Sequence, residues 1–169
     1  MCKNILGVVL FLHLGFAAPT PALAQVTHGT PVTQVAALRG LDSIYVRVGD
    51  AFDEDAKAMG LSLQDVRTKV ELELRRTGIA VKGESSVPFL FVEMTALPVT
   101  GRFAFNVSLE LSDFAVPSKD VAFSTPAITW KASFVATAPA SRARNQLMDA
   151  LQSLLNKFLN DYLAANPRQ

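Results

Sequence analysis

A single cysteine, Cys2, is all the thiol in this chain of 169 residues, so no disulfide can form within it. Histidine occurs twice, at His13 and His28. Nucleophilic and metal chemistry at neutral pH draws heavily on Cys and His, so this poverty removes most of the usual catalytic inventory. No charge of one sign dominates: 16 Lys and Arg stand against 15 Asp and Glu. A chain so balanced has no basic field to recommend nucleic acid or an anionic membrane as its partner. Beyond residue 24, no apolar run approaches the roughly 20 residues that a membrane helix needs.

Residues 1–24 carry the clearest pattern. Lys3 precedes an apolar run over residues 5–18, and Ala22-Leu23-Ala24 then gives the small-x-small signature of signal peptidase cleavage before Gln25. Cys2 stands too early to be a lipidation cysteine and leaves with the leader, together with Lys3, the one residue of charge excess. The expected product is exported, periplasmic or secreted, with no membrane span after cleavage. A cysteine-free exported chain of this size suits a bacterial envelope better than a small disulfide scaffold. Three stretches follow: a cleaved signal peptide over 1–24, a mobile leader over 25–37 rich in Thr, Gln, Gly and Pro, and a single domain over 38–167.

Within that domain the periods alternate. Residues 43–48 set Ile44, Val46 and Val48 against Tyr45 and Arg47, a strand with one buried face. Residues 60–78 read as helix, with Ser62 and Asp65 as a capping box, Leu63, Val66, Val70 and Leu74 as the apolar stripe, a Glu71 to Arg75 pair, and Gly78 as stop. Leu72 points away from the stripe. A short strand at 79–81 precedes Phe89-Leu90-Phe91-Val92, which is apolar on both faces, as in a central strand. Residues 101–116 alternate Phe103, Phe105, Val107, Leu109 and Leu111 with polar neighbours. Ile128, Trp130, Ala132, Phe134 and Ala136 do the same in a fifth strand. The strongest helical signal, 141–165, ends at Asn166-Pro167. The order β-α-β-β-β-β-α predicts an α+β two-layer sandwich: an about five-stranded, largely antiparallel sheet with two helices on one face and a polar opposite face.

Leu38-x-Gly40-Leu41, Val70-Glu71-x-x-Leu74-Arg75-x-x-Gly78-Ile79, Thr129-Trp130 and Tyr162-Leu163-x-x-Asn166-Pro167 resemble a recurring group of uncharacterised exported bacterial proteins over nearly the whole mature chain. These are framework signals, so the resemblance implies the fold and imports no chemistry. In topology alone, the element order is similar to the amino-terminal domain of TolB and to activator lipoproteins of cell-wall synthases. That likeness implies a module that binds proteins. The chain departs from the lipoproteins in lacking a lipidated cysteine.

His28 sits in the leader, where no rigid element would position it. Asp50, Asp53, Glu54 and Asp55 form the one dense acidic cluster, but without the alternating acids and glycine of a calcium loop it reads as a solvated helix start. Leu97-Pro98-Val99-Thr100-Gly101 spells a sortase motif, yet a strand follows at once, so it is a hairpin loop. Asn106-Val107-Ser108 is a glycosylation sequon placed mid-strand. Trp130, Phe103 and Phe105 read as core. Arg142 and Arg144 differ: they stand in the first turn of the last helix, where the dipole disfavours cations and welcomes an anion, and they are the candidate binding residues.

By subtraction the expected function is a non-enzymatic periplasmic binding or adaptor module, with no catalytic residue, metal or cofactor. Its partner would be another envelope protein, met by the polar sheet face or a sheet edge. The alternative is a small-ligand carrier or carboxylate-dependent hydrolase with a cavity between sheet and helices; a cavity of several hundred cubic ångströms holding two or more acids would favour it. Mass spectrometry of exported material is expected to find a chain beginning at Gln25, as glutamine or pyroglutamate. Retention of residues 1–24 would contradict the reading of the leader.

Overall fold

The computed structural model describes residues 25–26, 32–49, 57, 59–83, 87–116 and 124–167. The signal segment, His28 and the acidic cluster at 50–55 lie outside the described residues. In chain order the elements are β1 (Gln25–Val26), α1 (Val32–Ala36), β2 (Ser43–Val48), α2 (Leu63–Thr77), β3 (Ala80–Val81), β4 (Phe89–Val99), β5 (Arg102–Ala115), β6 (Thr125–Pro139), a 3-10 turn (Ala140–Arg142) and α3 (Ala143–Ala165). The α+β two-layer architecture is present. Part of the stretch expected to be a mobile leader carries structure, β1 and α1. Two and five residues are too short to display a period, so no sequence pattern announces them.

The sheet runs β1-β6-β5-β4-β2-β3. From β4 through β5 and β6 to β1 all pairings are antiparallel, whereas β2 lies parallel to both neighbours, β4 and β3. The sheet is therefore mixed, with its antiparallel part as expected and β2 as the exception. The β4–β5 hairpin turns on two residues, Thr100 and Gly101, both at positive φ (30° and 72°), the conformation a tight hairpin demands. Pro98 is tolerated in β4 because β2 pairs only as far as Val92, leaving that side of β4 without a ladder to interrupt.

One core forms where α2 and α3 pack on the sheet. The helical stripe Val66, Val70 and Leu74 is fully buried, while Leu63 and Leu72 are exposed; of the expected stripe only Leu63, at the frayed first position, lies outside. The Ser62 half of the predicted capping box is present, with the predicted ion pair and the glycine stop. Ser62 Oγ accepts the Asp65 N–H at 3.0 Å, Glu71 pairs with Arg75 at 2.8 Å, and Gly78 closes the helix at φ 96°. Leu147, Leu151, Leu154, Leu155, Phe158 and Leu159 bury the α3 stripe against β5 and β6. Trp130 is fully buried edge-on to Phe158, with centroids 5.0 Å apart. Its indole N–H donates to Asp161 Oδ2 at 3.0 Å, and Lys157 Nζ pairs with the same oxygen at 3.1 Å, so the one polar atom of the Trp130 side chain is satisfied.

Ile128 was expected to point inward with Trp130 and is instead 54% exposed. The cause is a register shift between Leu111 and Ser112. Leu111 stands opposite Trp130 and Ser112 opposite Ile128, so β6 carries one extra residue, Thr129, and Ile128 turns to the outer face. That face is polar along Glu93, Ser108, Ser133 and the Glu110–Lys131 ion pair. It turns aromatic at one end, where the Arg47 guanidinium lies 6.0 Å from the Phe91 ring centre and that of Arg67 6.0 Å from Tyr45. The Arg47 guanidinium thus covers an outward ring of β4, and that of Arg67 a ring of β2.

The two ends of the domain are tied by one amide. Asn166, just past α3, donates from Nδ2 to the carbonyls of Leu38 (2.8 Å) and Tyr162 (2.9 Å), and its Oδ1 accepts the N–H of Gly40 at 2.7 Å. Gly40 adopts φ 73°, which an L side chain resists. Replacing Leu155, fully buried at the centre of α3, by Ala is expected to cost about 2–5 kcal/mol. Asn166→Ala is expected to cost about 1–3 kcal/mol through the lost bonds. Both are read as lowered denaturation midpoints, and an unchanged midpoint for either would contradict the packing described.

Candidate functional site

Along α3 the contact with the sheet tapers. Toward the helix C-terminus, Trp130 and Phe158 fill the interface; toward the N-terminus, the facing residues are small, Ala136 and Ala138 on β6 against Ala143 and Ala150 on α3. Small residues let the layers meet at the seam and leave space beside it. The result is a cleft of about 510 Å³ between the last third of β6 and the first three turns of α3. Its floor is Phe105, Phe134 and Ala136, the two rings lying near-parallel with centroids 6.2 Å apart. Phe105 is therefore core, as expected, and also the bed of a cavity.

The helical wall presents Gln146, Asp149 and Ser153, at intervals of three and four that place them on one row of α3. All three are exposed. The opposite rim is made by Arg102, Thr137 and Pro139. Arg102 Nη2 donates to Thr137 Oγ1 at 3.1 Å and to the Thr137 carbonyl at 3.4 Å, which fixes the guanidinium at the mouth. Among the described residues, Asp149 is the one carboxylate lining the cleft, and no hydrogen bond joins it to Ser153. Among the described residues, a hydroxyl with no imidazole or thiol beside it, and one acid where paired acids would be needed, offer binding groups and no convergent catalytic set. A smaller polar hollow of about 250 Å³ lies where β2 begins, beside Arg39, Asp42, Pro88 and Asp113. It holds two acids, but it is a loop surface and not the sheet–helix cavity. No group of three or more candidate metal ligands occurs among the described residues.

Arg142 closes the 3-10 turn that leads into α3, and Arg144 is the helix's second residue; both are exposed, and neither forms an ion pair with a described residue. The 3-10 turn spends one free donor, since the Ala143 N–H bonds to the Ala140 carbonyl. Arg142 is the non-helical residue before α3 (φ −120°, ψ −6°), and neither it nor Arg144 is among the residues that line the cleft. Arg102, which the sequence did not single out, is opposite Pro139 in the β5–β6 register. The Ala140 N–H bonds to the Gly101 carbonyl at 3.3 Å, so the hairpin turn, Arg102 and the Arg142 turn gather at one end of the cleft.

Recognition along the adjoining sheet edge is restricted. Lys131 turns its N–H to the free side of β6, where Gln34 Oε1 of α1 accepts it at 3.4 Å. By strand alternation Val135 and Thr137 turn the same way. β1 covers Val135, Arg102 caps the Thr137 carbonyl, and Pro139 has no N–H to offer.

No protein-family model matches the chain, and no curated protein sequence matches it significantly. Among solved structures, the chain is similar to a minor lipoprotein from Acinetobacter baumannii, with 11% identity over 75% of this chain and 93% of that one and a TM-score of 0.41. It is also similar to a dodecameric PelC variant from Paraburkholderia phytofirmans, with 18% identity over 87% of this chain and 98% of that one and a TM-score of 0.40. Neither of these structures is TolB.

The double substitution Arg142→Gln, Arg144→Gln is expected to leave stability unchanged or to raise it by a few tenths of a kcal/mol, about the cost of cations at a helix start. A clear loss in the denaturation midpoint would reveal an internal ion pair.

Proposed function

We propose that this chain is a non-enzymatic binding module of the bacterial envelope and that it binds through the cleft between β5, β6 and α3. The observation that carries the reading is the cleft itself: about 510 Å³ over an aromatic floor, with polar groups on its rim and helical wall and a single described carboxylate. Such a volume lies within the range that holds a small molecule or a short apolar segment, and an apolar bed with few polar groups is the usual build of a binding pocket. One acid does not meet the two-acid condition for a carboxylate-dependent hydrolase. The capped edge of β6 argues against strand addition there, so weight moves from a sheet-edge adaptor toward a carrier that takes its ligand between the layers. No helix among the described residues is long and apolar enough to cross a membrane. Export, inferred from the leader, places the module in the periplasm or outside the cell.

The neutral apolar dye N-phenyl-1-naphthylamine tests the site without invoking charge. Its fluorescence is expected to rise on binding, and Ser153→Phe, which adds bulk at an exposed wall position, is expected to weaken binding about tenfold with the fold retained. Equal binding by the variant, or none by the unaltered protein, would overturn the assignment of the cleft.

A further inference from the structure

We propose that the ligand of the cleft is a single-chain anionic amphiphile, its apolar chain on Phe105 and Phe134 and its carboxylate or phosphate head at the Arg102 end. This rests on the reading of the cleft as the binding site and adds the chemistry of the occupant. Charge complementarity carries it. Arg102 is held at the mouth by Thr137 alone, with no described carboxylate paired to it, and Arg142 stands on the turn bonded to the same hairpin. The Arg102 guanidinium thus stands without a described acid at one end of an apolar cleft, with Arg142 on the neighbouring turn, and a planar cation with several donors is suited to a carboxylate or phosphate oxygen pair. The cleft's acid, Asp149, lies two helical turns further along α3 than Arg142, which gives the site a polarity: head at the hairpin end, chain away from it.

An extended acidic peptide would satisfy the same charges but would need backbone partners. The β6 edge offers no continuous ladder for one, because Gln34 takes the Lys131 N–H, β1 covers Val135, Arg102 takes the Thr137 carbonyl and Pro139 has no N–H. A single-chain amphiphile needs no backbone ladder. Its apolar portion is stabilised by leaving water, and its head by the arginines.

The test measures displacement of N-phenyl-1-naphthylamine from the purified exported protein by laurate, lauryl phosphate and dodecanol, which share a twelve-carbon chain and differ in head. Laurate or lauryl phosphate is expected to bind about tenfold more tightly than dodecanol, as a charge-assisted hydrogen bond supplies, and whichever is tighter identifies a carboxylate or a phosphate source. Arg102→Gln with Arg142→Gln is expected to remove that advantage and leave dodecanol unaffected. Asp149→Asn is expected to strengthen only the anions, and added salt to weaken only them. Equal displacement by all three compounds, insensitive to these substitutions, would overturn the anionic head while leaving the cleft as a binding site. If none displaces the dye although Ser153→Phe still blocks it, the amphiphile is wrong and the cleft stands. Displacement by an acetylated alternating aspartate–leucine hexapeptide but not by laurate would overturn the proposal in favour of a peptide. A dye that never binds would remove the underlying reading itself.

Discussion

The seating of α3 across β5 and β6 is the constraint from which the rest of the molecule follows. It is fixed at the wide end by Trp130, which packs edge-on to Phe158 and donates to Asp161, so a large aromatic is buried with its polar atom satisfied. That end of the interface is filled by two rings, and the other end by alanines, Ala138, Ala143 and Ala150. The cleft is the space left along its polar flank. Site and core are consequently one packing solution, and enlarging Ala143 or Ala138 would move the wall of the cleft as well as strain the core.

Asn166 supplies the second fixed point. The segments Leu38-x-Gly40-Leu41 and Tyr162-Leu163-x-x-Asn166-Pro167 are far apart in the chain, yet the Asn166 side chain joins the Leu38 carbonyl, the Gly40 N–H and the Tyr162 carbonyl. An asparagine offers both donors and acceptor in one plane, which neither aspartate nor leucine reproduces. Glycine is needed opposite because its φ of 73° presents the N–H. These two sequence motifs thus have a mechanical explanation, joining the start of the domain to its end.

Much of the fold was legible because it depends on local chemistry. Ser62, Glu71, Arg75 and Gly78 each do in α2 what their spacing predicted, and the long alternating runs of β5 and β6 are strands. What escaped depends on non-local pairing. The parallel setting of β2 is a matter of partner choice, which a six-residue alternation does not encode. The bulge that turns Ile128 outward is a mismatch between two strands, invisible in either alone. Of the site, the electrostatic oddity of Arg142 was readable, but Arg102 looked like an ordinary hairpin residue and Phe105 like ordinary core. One signal was available: the polar row Gln146, Asp149 and Ser153 faces alanine-rich β6, where a closed interface would have placed larger apolar groups.

The closed edge of β6 and the open cleft beside it belong to one economy of backbone groups. An exposed strand edge is an invitation to indiscriminate pairing, and a fold gains from closing it. Here the closure is piecemeal: a glutamine side chain at Lys131, a two-residue strand at Phe134 and Val135, an arginine over Thr137 and a proline at 139. Arg102 is the member that serves both tasks. Satisfying the Thr137 carbonyl uses only part of a guanidinium with five N–H donors, and the interaction holds the group at the cleft mouth with donors to spare. Lysine in its place would carry the charge on a flexible stem without that planar fixation, losing the pre-organisation that lets one side chain guard an edge and address a ligand at once.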